Sequence, residues 1–170
     1  KMGIKRVILS SMPSDDMPVF SMGINHNNYN NETIFSTGSC TTNALGLILQ
    51  EIDTTFSLQS GNITSIHSYT SDQNILDASY NGSEFQKSRA AAINIIPVNS
   101  GVTSNLKKLL PNIAPKLMGH GVRVPTENVS MLDISLILEK ENHLNDFKIH
   151  FKKMAIKYSP WLKIDLDNKV

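Results

Sequence analysis

Hydrophobic residues recur along the chain at helix-like spacing in three places. Residues 43–52 carry leucine, isoleucine and alanine on one stripe, which predicts a helix that starts at Cys40 and runs to about Asp53. Residues 144–158 repeat apolar side chains every three to four positions and predict an amphipathic helix. A further helix is predicted at 101–110, because Pro111 cannot continue it.

Strand-like patterns lie between these helices. Residues 62–69 and 129–138 alternate apolar and polar positions. Shorter apolar runs predict strands at 4–9, 19–23, 33–35, 95–98 and 122–126. Strands that share a sheet, with helices packed on one of its faces, give an α+β fold, here with a mixed and largely antiparallel sheet.

The chain's single cysteine lies where a predicted strand gives way to a helix. Cys40 precedes the first helical turn, beside the unpaired N–H groups and the positive end of the helix dipole. Such a position favours thiolate over thiol and offers donors to an oxyanion. The alternative is a small buried hydrophobe, since free cysteine is among the most buried residue types.

A histidine at the end of the next predicted strand completes a catalytic hypothesis. His67 follows Cys40 by 27 positions, and an intervening helix can bring it back beside the thiol. Imidazole titrates in the range that a base for thiol attack requires. Taken alone, a strand histidine is more often structural, but its pairing with Cys40 favours the base.

Two further features are suited to an anion. Ser100 and Gly101 lie in a small-residue entry to the predicted 101–110 helix, whose N–H groups favour negative charge. Arg123 stands between two valines on a predicted strand and carries the fork of donors that phosphate recognition uses. An arginine on a strand can also be a surface residue with its stem packed on apolar neighbours.

Composition and charge exclude several classes of function. Sixteen basic and fifteen acidic residues leave a net charge of +1, without the basic stripe that a nucleic-acid partner needs. One cysteine excludes an internal disulfide framework, and the five histidines lack the other ligands of a metal shell. The sequence shows no secretory signal or membrane-spanning apolar run, so we expect a cytoplasmic protein without a membrane partner.

Three motifs carry a resemblance to a known family. They are STGSCTTN around Cys40, HSYTSDQ from His67 and RVPTENVS from Arg123. In this order they resemble the catalytic half of the glyceraldehyde-3-phosphate dehydrogenase family. The resemblance implies that residues 1–39 end an NAD-binding Rossmann domain and that residues 40–170 form the catalytic domain, incomplete at its C-terminus. No G-x-G-x-x-G occurs, so we expect a truncated chain whose cofactor fingerprint lies upstream.

The resemblance also implies an activity. An NAD-dependent (or NADP-dependent) enzyme of this family oxidises glyceraldehyde 3-phosphate in glycolysis through a cysteine thiohemiacetal and thioester, which inorganic phosphate resolves to 1,3-bisphosphoglycerate. Cys40 would be the nucleophile and His67 the base. The family's members are homotetramers, so the full-length protein is expected to be one.

Site residues follow position by position from the same resemblance. Thr70, Asp72 and Arg123 match the pocket for the substrate's phosphate and the cofactor side. The attacking-phosphate pocket matches Ser39, Thr41, Ser100 and Gly101, with Lys87 where relatives carry an arginine. Ser10 or Ser11, at the end of the first strand, would lie near the cofactor.

Two alternatives remain open at this point. Erythrose-4-phosphate dehydrogenase is a close relation that releases its product by hydrolysis, and lysine at position 87 would weaken a phosphate site because it lacks arginine's bidentate fork. Thr70, Ser100 and Gly101 favour the triose enzyme. A non-enzymatic fragment that acts in folding or assembly is the other alternative, since most of the cofactor domain is absent.

Overall fold

A computed structural model gives the structure of the chain and describes residues 3–79, 82–98 and 101–165. Over those residues the strands are β1 (Val7–Leu9), β2 (Ile34–Ser36), β3 (Leu58–Ser68), β4 (Ile96–Val98), β5 (Leu117–Val124) and β6 (Ser130–Leu138). The α-helices are α1 (Cys40–Phe56), α2 (Val102–Leu106) and α3 (Leu144–Lys157). Short 3-10 helices lie at His26–Asn28, Phe85–Ser88 and Ala114–Lys116.

A small parallel sheet begins the fold. Strand β1 pairs with β2, Val7 opposite Ile34 and Leu9 opposite Ser36. Val7, Ile8 and Ile34 are each about half exposed. This sheet therefore presents apolar side chains that nothing in the described part of the chain covers.

The larger sheet has the strand order β4-β5-β3-β6 across the described residues. Strand β3 pairs in parallel with β5 and antiparallel with β6, and β4 pairs antiparallel with β5. The predicted α+β fold with a mixed, largely antiparallel sheet is confirmed.

The helices pack on one face of this sheet. Leu45 and Leu49 of α1 and Leu106 of α2 are fully buried against Ile63 of β3. Phe147 of α3 lines the same layer and stacks on Phe56 of α1, with ring centroids 4.4 Å apart. The opposite face keeps apolar side chains in contact with solvent, among them Met118, Met131 and Ile137.

Helix α1 and strand β3 form a tight return that positions the site. Only Ser57, with a φ of 58°, lies between Phe56 at the end of α1 and Leu58 at the start of β3. Seventeen helical residues rise about 25 Å, and the ten residues from Leu58 to His67 extend about 30 Å. The end of β3 therefore comes back beside the start of α1.

Several element boundaries differ from those predicted. Residues 19–23 do not form the predicted strand. Val19 makes one isolated bridge to Ser36, and the N–H of Ser21 donates to the side chain of Asn25 rather than to a neighbouring strand. The predicted 101–110 helix is α-helical only over Val102–Leu106, and turns follow it.

A closed polar cluster joins α1 to α3. The carboxylate of Glu51 accepts hydrogen bonds from Lys157 Nζ at 2.7 Å and from the hydroxyl of Tyr158. Burial raises the pKa of Glu51, but these hydrogen bonds outweigh it and the net pKa is lowered. His150 Nε2 lies 3.7 Å from the same carboxylate and its ring meets Phe56 edge-on, so this histidine is packed between α1 and α3.

Candidate active site

The turn that carries Cys40 leads from β2 into α1. Gly38 has a φ of 77°, a left-handed conformation that glycine adopts at little cost. Ser39 then caps α1, because its Oγ accepts the N–H of Thr42 at 3.1 Å. Cys40 is consequently the first residue of the helix, at the positive end of its dipole.

Asn43 ties this turn together in a way that the motif did not reveal. Its Nδ2 donates to the carbonyl oxygens of Thr37 at 2.7 Å and Ser39 at 2.9 Å, one on each side of Gly38. Its Oδ1 accepts a short hydrogen bond from the hydroxyl of Ser21. The sequence signal for these bonds was an asparagine inside the first helical turn, a position from which its side chain can reach the carbonyls of the preceding turn.

Cys40 and His67 lie within contact distance. Sγ of Cys40 is 3.3 Å from Nε2 of His67. Cys40 is exposed, so the alternative that it is a buried hydrophobe is wrong. The return of β3 along α1 brings the two side chains together.

The other ring nitrogen of His67 meets two polar partners. Nδ1 lies 2.7 Å from the carbonyl oxygen of Ser68 and 2.7 Å from Nη1 of Arg123. The same Nη1 lies 2.9 Å from the Ser68 oxygen, and the hydroxyl of Ser68 lies 3.4 Å from Nδ1. Arg123 reaches this position because β5 runs parallel to β3 with Arg123 directly opposite His67.

These side chains line a cavity of about 180 Å³. It brings together six of the residues singled out from the sequence, Ser39, Cys40, Thr41, His67, Gly101 and Arg123. The other lining residues described are Ser65, Val98, Val102, Asn105, Gly121 and Val122. Asn105 was missed, although it lies one turn after Gly101 and its N–H bonds to the Gly101 carbonyl at 2.8 Å.

Three predicted anion-binding residues form a separate cluster. Lys87 Nζ lies 2.9 Å from Asp72 and 2.6 Å from Glu84, and Asp72 also accepts a hydrogen bond from the hydroxyl of Thr70. Hydrogen bonds to Glu84 and Asp72 raise the pKa of Lys87. Lys87, Thr70 and Asp72 are not among the described residues that line the cavity. Two carboxylates thus share the ammonium group of Lys87.

The remaining predicted residues lie at the margins of the site. Ser10 and Ser11 follow β1 and are exposed, and the Ser11 carbonyl accepts a hydrogen bond from the hydroxyl of Ser36 at 2.6 Å. Ser100 lies outside the described residues. Within the described ranges, no group of three or more metal-binding side chains is gathered in one place. No helix among them is long and apolar enough to cross a membrane.

The cavity combines three chemical functions. An exposed thiol stands at a helix N-terminus, an imidazole lies in contact with it, and a guanidinium lines the same space. This combination is typical of enzymes that attack a carbonyl with a cysteine while binding an anionic group. Comparison with known proteins agrees with that class.

Residues 39–166 match the family model of the glyceraldehyde 3-phosphate dehydrogenase C-terminal domain. The chain therefore belongs to the glyceraldehyde-3-phosphate dehydrogenase family. It is 42% identical over 177 aligned positions to glyceraldehyde-3-phosphate dehydrogenase from Helicobacter pylori, covering 99% of this chain and 52% of that protein.

Other relatives have similar coverage. Glyceraldehyde-3-phosphate dehydrogenase 1 from Bacillus cereus is 39% identical over 154 positions, covering 89% of this chain and 46% of the relative. The chloroplastic glyceraldehyde-3-phosphate dehydrogenase A from Zea mays is 37% identical over 154 positions, covering 90% and 38%. The chain thus spans about half the length, or less, of the curated relatives it matches.

Proposed function

We propose that this chain supplies the catalytic domain of an NAD(P)-dependent dehydrogenase that oxidises glyceraldehyde 3-phosphate to 1,3-bisphosphoglycerate in glycolysis. The observation that carries the proposal is the 3.3 Å contact between Cys40 Sγ and His67 Nε2 at the start of α1. Membership of the family and the names of the relatives support the substrate.

Cys40 and His67 carry out the covalent step. The Cys40 sulfur attacks the aldehyde carbon, the carbonyl oxygen takes up a proton, and a thiohemiacetal forms. His67 accepts the thiol proton and can return it to the oxygen, because Nε2 lies next to the sulfur. The N-terminal N–H groups of α1 are positioned to stabilise the oxyanion before that proton arrives.

We assign the binding of the substrate's phosphate and of inorganic phosphate to the cations and hydrogen-bond donors around Cys40 and His67. Arg123, Thr41 and Gly101 offer a guanidinium, a hydroxyl and a backbone N–H to an anion inside the cavity. Ser39 and Ser100 belong to the same proposed pocket. Thr70, Asp72 and Lys87 would contribute from the neighbouring cluster, where Lys87 must first leave its carboxylate partners.

A nicotinamide cofactor would bind at the edge of the small parallel sheet. The C-terminal ends of β1 and β2 adjoin, since the Thr37 N–H donates to the Leu9 carbonyl at 2.9 Å, and ligands of parallel sheets lie at this edge. Ser10 and Ser11 stand there, and the chain leads from β2 directly to Cys40. NAD or NADP would supply a hydride acceptor, so that loss of hydride from the thiohemiacetal leaves a thioester on Cys40.

We accordingly assign residues 1–39 to the end of the nucleotide-binding domain and residues 40–170 to the catalytic domain. The match of the C-terminal family model from residue 39 supports this boundary. The exposed apolar residues of β1 and β2 also support further elements packed over this sheet.

A homotetramer is the proposed assembly of the full-length protein. The solvent face of the larger sheet exposes Met118, Met131 and Ile137, which a second copy could cover. Sedimentation velocity on the complete gene product should show a single tetrameric species. A stable monomer would contradict this proposal.

One observation favours a second candidate, erythrose-4-phosphate dehydrogenase. Lys87 is held by two carboxylates and lies outside the cavity, so the site for an attacking inorganic phosphate is weakened. Water would then resolve the thioester and release an acid.

The deciding experiment measures NADH formation by the complete gene product. Glyceraldehyde 3-phosphate and erythrose 4-phosphate are compared, each with and without inorganic phosphate and each with NAD and NADP. Turnover of the triose that depends on phosphate is expected. Phosphate-independent turnover that prefers the tetrose would favour the second candidate, and no turnover with either would favour a non-enzymatic role.

A further inference from the structure

Asn105 brings an uncharged hydrogen-bonding group to the cavity around Cys40. It lies on α2, one turn after Gly101, and its carboxamide packs directly against that glycine. A Cβ placed on Gly101 would be 2.9 Å from Nδ2 of Asn105 and 3.4 Å from Cγ. The absence of a side chain at Gly101 therefore leaves room for the carboxamide at the cavity wall.

The carboxamide is not used to hold its own turn. The carbonyl oxygen of Gly101 accepts the backbone N–H of Asn105 at 2.8 Å and the hydroxyl of Ser104 at 3.1 Å. Neither bond involves the side chain of Asn105. A carboxamide carries two N–H donors and an acceptor oxygen, so this half-buried group can bind a polar ligand in the cavity.

The wall of the cavity formed by β4 and α2 offers no other polar side chain among the described residues. The remaining described positions of this wall have no hydrogen-bonding atoms in their side chains, and they are Val98, Gly101 and Val102. Asn105 is therefore the residue whose side chain can give this wall specificity for a polar ligand.

The rest of the cavity favours an anion as that ligand. Arg123 on β5 contributes a guanidinium, and Thr41 on α1 contributes a hydroxyl. No carboxylate is among the described residues that line the cavity, so none of them repels an anion. A hydrogen bond to a charged oxygen is roughly twice as strong as one between neutral groups. Nδ2 of Asn105 can thus strengthen the binding of an anion that Arg123 attracts.

Lys87 differs from Asn105 in its availability to such an anion. Its Nζ lies 2.9 Å from Asp72 and 2.6 Å from Glu84, and it is not among the described residues that line the cavity. Binding through Lys87 would require these two ion pairs to break. The carboxamide of Asn105 already lies at the cavity wall, so it can bind an anion without that cost.

We propose that Asn105 determines the affinity of the site for inorganic phosphate, because its Nδ2 donates a hydrogen bond to the phosphate that attacks the thioester on Cys40. The inference rests on the proposed function, in which phosphate is the acyl acceptor. In that step a phosphate oxygen forms a bond to the acyl carbon, the carbon–sulfur bond breaks, and the sulfur leaves as a thiolate. Asn105 keeps its protons and binds an oxygen that does not attack.

The first test measures binding of inorganic phosphate to the complete gene product by calorimetry, at an ionic strength held constant with sodium chloride. Asn105→Leu keeps a side chain of similar size without a donor, and it should raise the Kd for phosphate about tenfold. Asn105→Asp keeps the shape and replaces the donor with a negative charge, so it should raise the Kd further. Asn27→Asp makes the same exchange at an exposed asparagine outside the cavity, and its Kd should equal that of the unaltered protein.

The second test separates inorganic phosphate from the phosphate of the substrate. In steady-state NADH formation with glyceraldehyde 3-phosphate, Asn105→Leu should raise the KM for inorganic phosphate about tenfold. The KM for the aldehyde should change by less than about twofold, because the substrate's own phosphate does not use this donor. A purely structural role of Asn105 would not separate the two KM values in this way.

Three results would overturn the assignment. The first is that the unaltered protein does not bind phosphate, and the second is that Asn105→Leu binds it as tightly as the unaltered protein. The third is that Asn105→Leu raises the KM for the aldehyde and leaves that for inorganic phosphate unchanged. Calorimetry needs neither aldehyde nor nicotinamide. An unaltered protein that binds phosphate through Asn105 but forms no NADH would therefore contradict the proposed function alone.

Discussion

The two ends of helix α1 carry polar clusters of opposite character. At its C-terminal half, Glu51 is enclosed by Lys157 and Tyr158, which donate to it in a single arrangement. At its N-terminus, Cys40, His67 and Arg123 meet in a cavity. Nδ1 of His67 lies within hydrogen-bonding distance of both Arg123 and the Ser68 carbonyl. The closed cluster stabilises the fold, whereas the open one leaves groups available for reaction.

The largest effect is expected from removing the thiol. Cys40→Ser should reduce NADH formation by the complete gene product about a thousandfold or more, because the hydroxyl is a far weaker nucleophile. Thr54→Ser, on the exposed surface near the other end of α1, is the control and should keep the full rate. Circular dichroism would show that both variants fold. Substantial turnover by Cys40→Ser would remove Cys40 from the mechanism.

Histidines at the two ends of α1 provide the next comparison. His67→Gln should lower kcat by about 10²–10⁴-fold, the usual contribution of a general base. His150→Gln, beside Glu51, should leave kcat unchanged because His150 packs against Phe56 far along the helix. Steady-state kinetics on the two proteins measures the difference. If both variants lost activity equally, the division of α1 into a reactive and a structural end would be wrong.

Breaking the closed cluster around Glu51 should lower the stability of the fold and leave the reactivity of Cys40 unchanged. Glu51→Gln should lower the free energy of unfolding by about 1–2 kcal/mol, since it weakens the bond from buried Tyr158 while the exposed Lys157 contributes little. Urea denaturation measures this change. The matched control is Glu139→Gln, an exposed carboxylate, which should be neutral. A slower alkylation of Cys40 in Glu51→Gln would show that the two ends are coupled.

The same carboxylate predicts a pH dependence. Its pKa is lowered in the folded state from an ordinary value of 4.5. Its contribution to stability is therefore complete above that ordinary value and is lost as the pH falls through the lower folded pKa. The difference in unfolding free energy between the unaltered chain and Glu51→Gln should shrink as the pH drops below 4.5. A difference that grew in acid would contradict the assigned hydrogen bonds.

The smallest effect is expected at the cap of α1. Ser39→Ala should cost about 1 kcal/mol of stability, because the N–H of Thr42 loses its acceptor. Ser14→Ala, at an exposed serine after β1, serves as the control in the same urea titration. An unchanged midpoint in Ser39→Ala would mean that solvent replaces the cap.

Local sequence signals predicted the part of the site that depends on single elements. Cys40 at a strand-to-helix turn and His67 near the end of a strand followed from hydrophobic periodicity, and the structure brings both into contact. The core face of β6 was also predicted, because alternation fixes which side chains face the helices.

What depended on tertiary partners was not predicted. The sequence does not show that Lys87 forms ion pairs with Glu84 and Asp72, since these partners lie in a loop without hydrophobic periodicity. The register that sets Arg123 against His67 arises from parallel pairing of two strands distant in sequence. Residues 19–23 resembled a strand, but the Asn25 side chain folds them into a turn, since its Oδ1 accepts the N–H of Ser21 and its Nδ2 donates to the Val19 carbonyl.

The single residue that links α1 to β3 limits how this domain can change during evolution. Because Ser57 alone joins them, no loop could absorb an insertion inside α1. One extra residue would rotate the helix before the insertion by about 100° relative to β3. Cys40 would then turn away from His67. A change of length in the loop between β3 and β4 would leave the helix phase of α1, and so the placement of Cys40 against His67, unchanged.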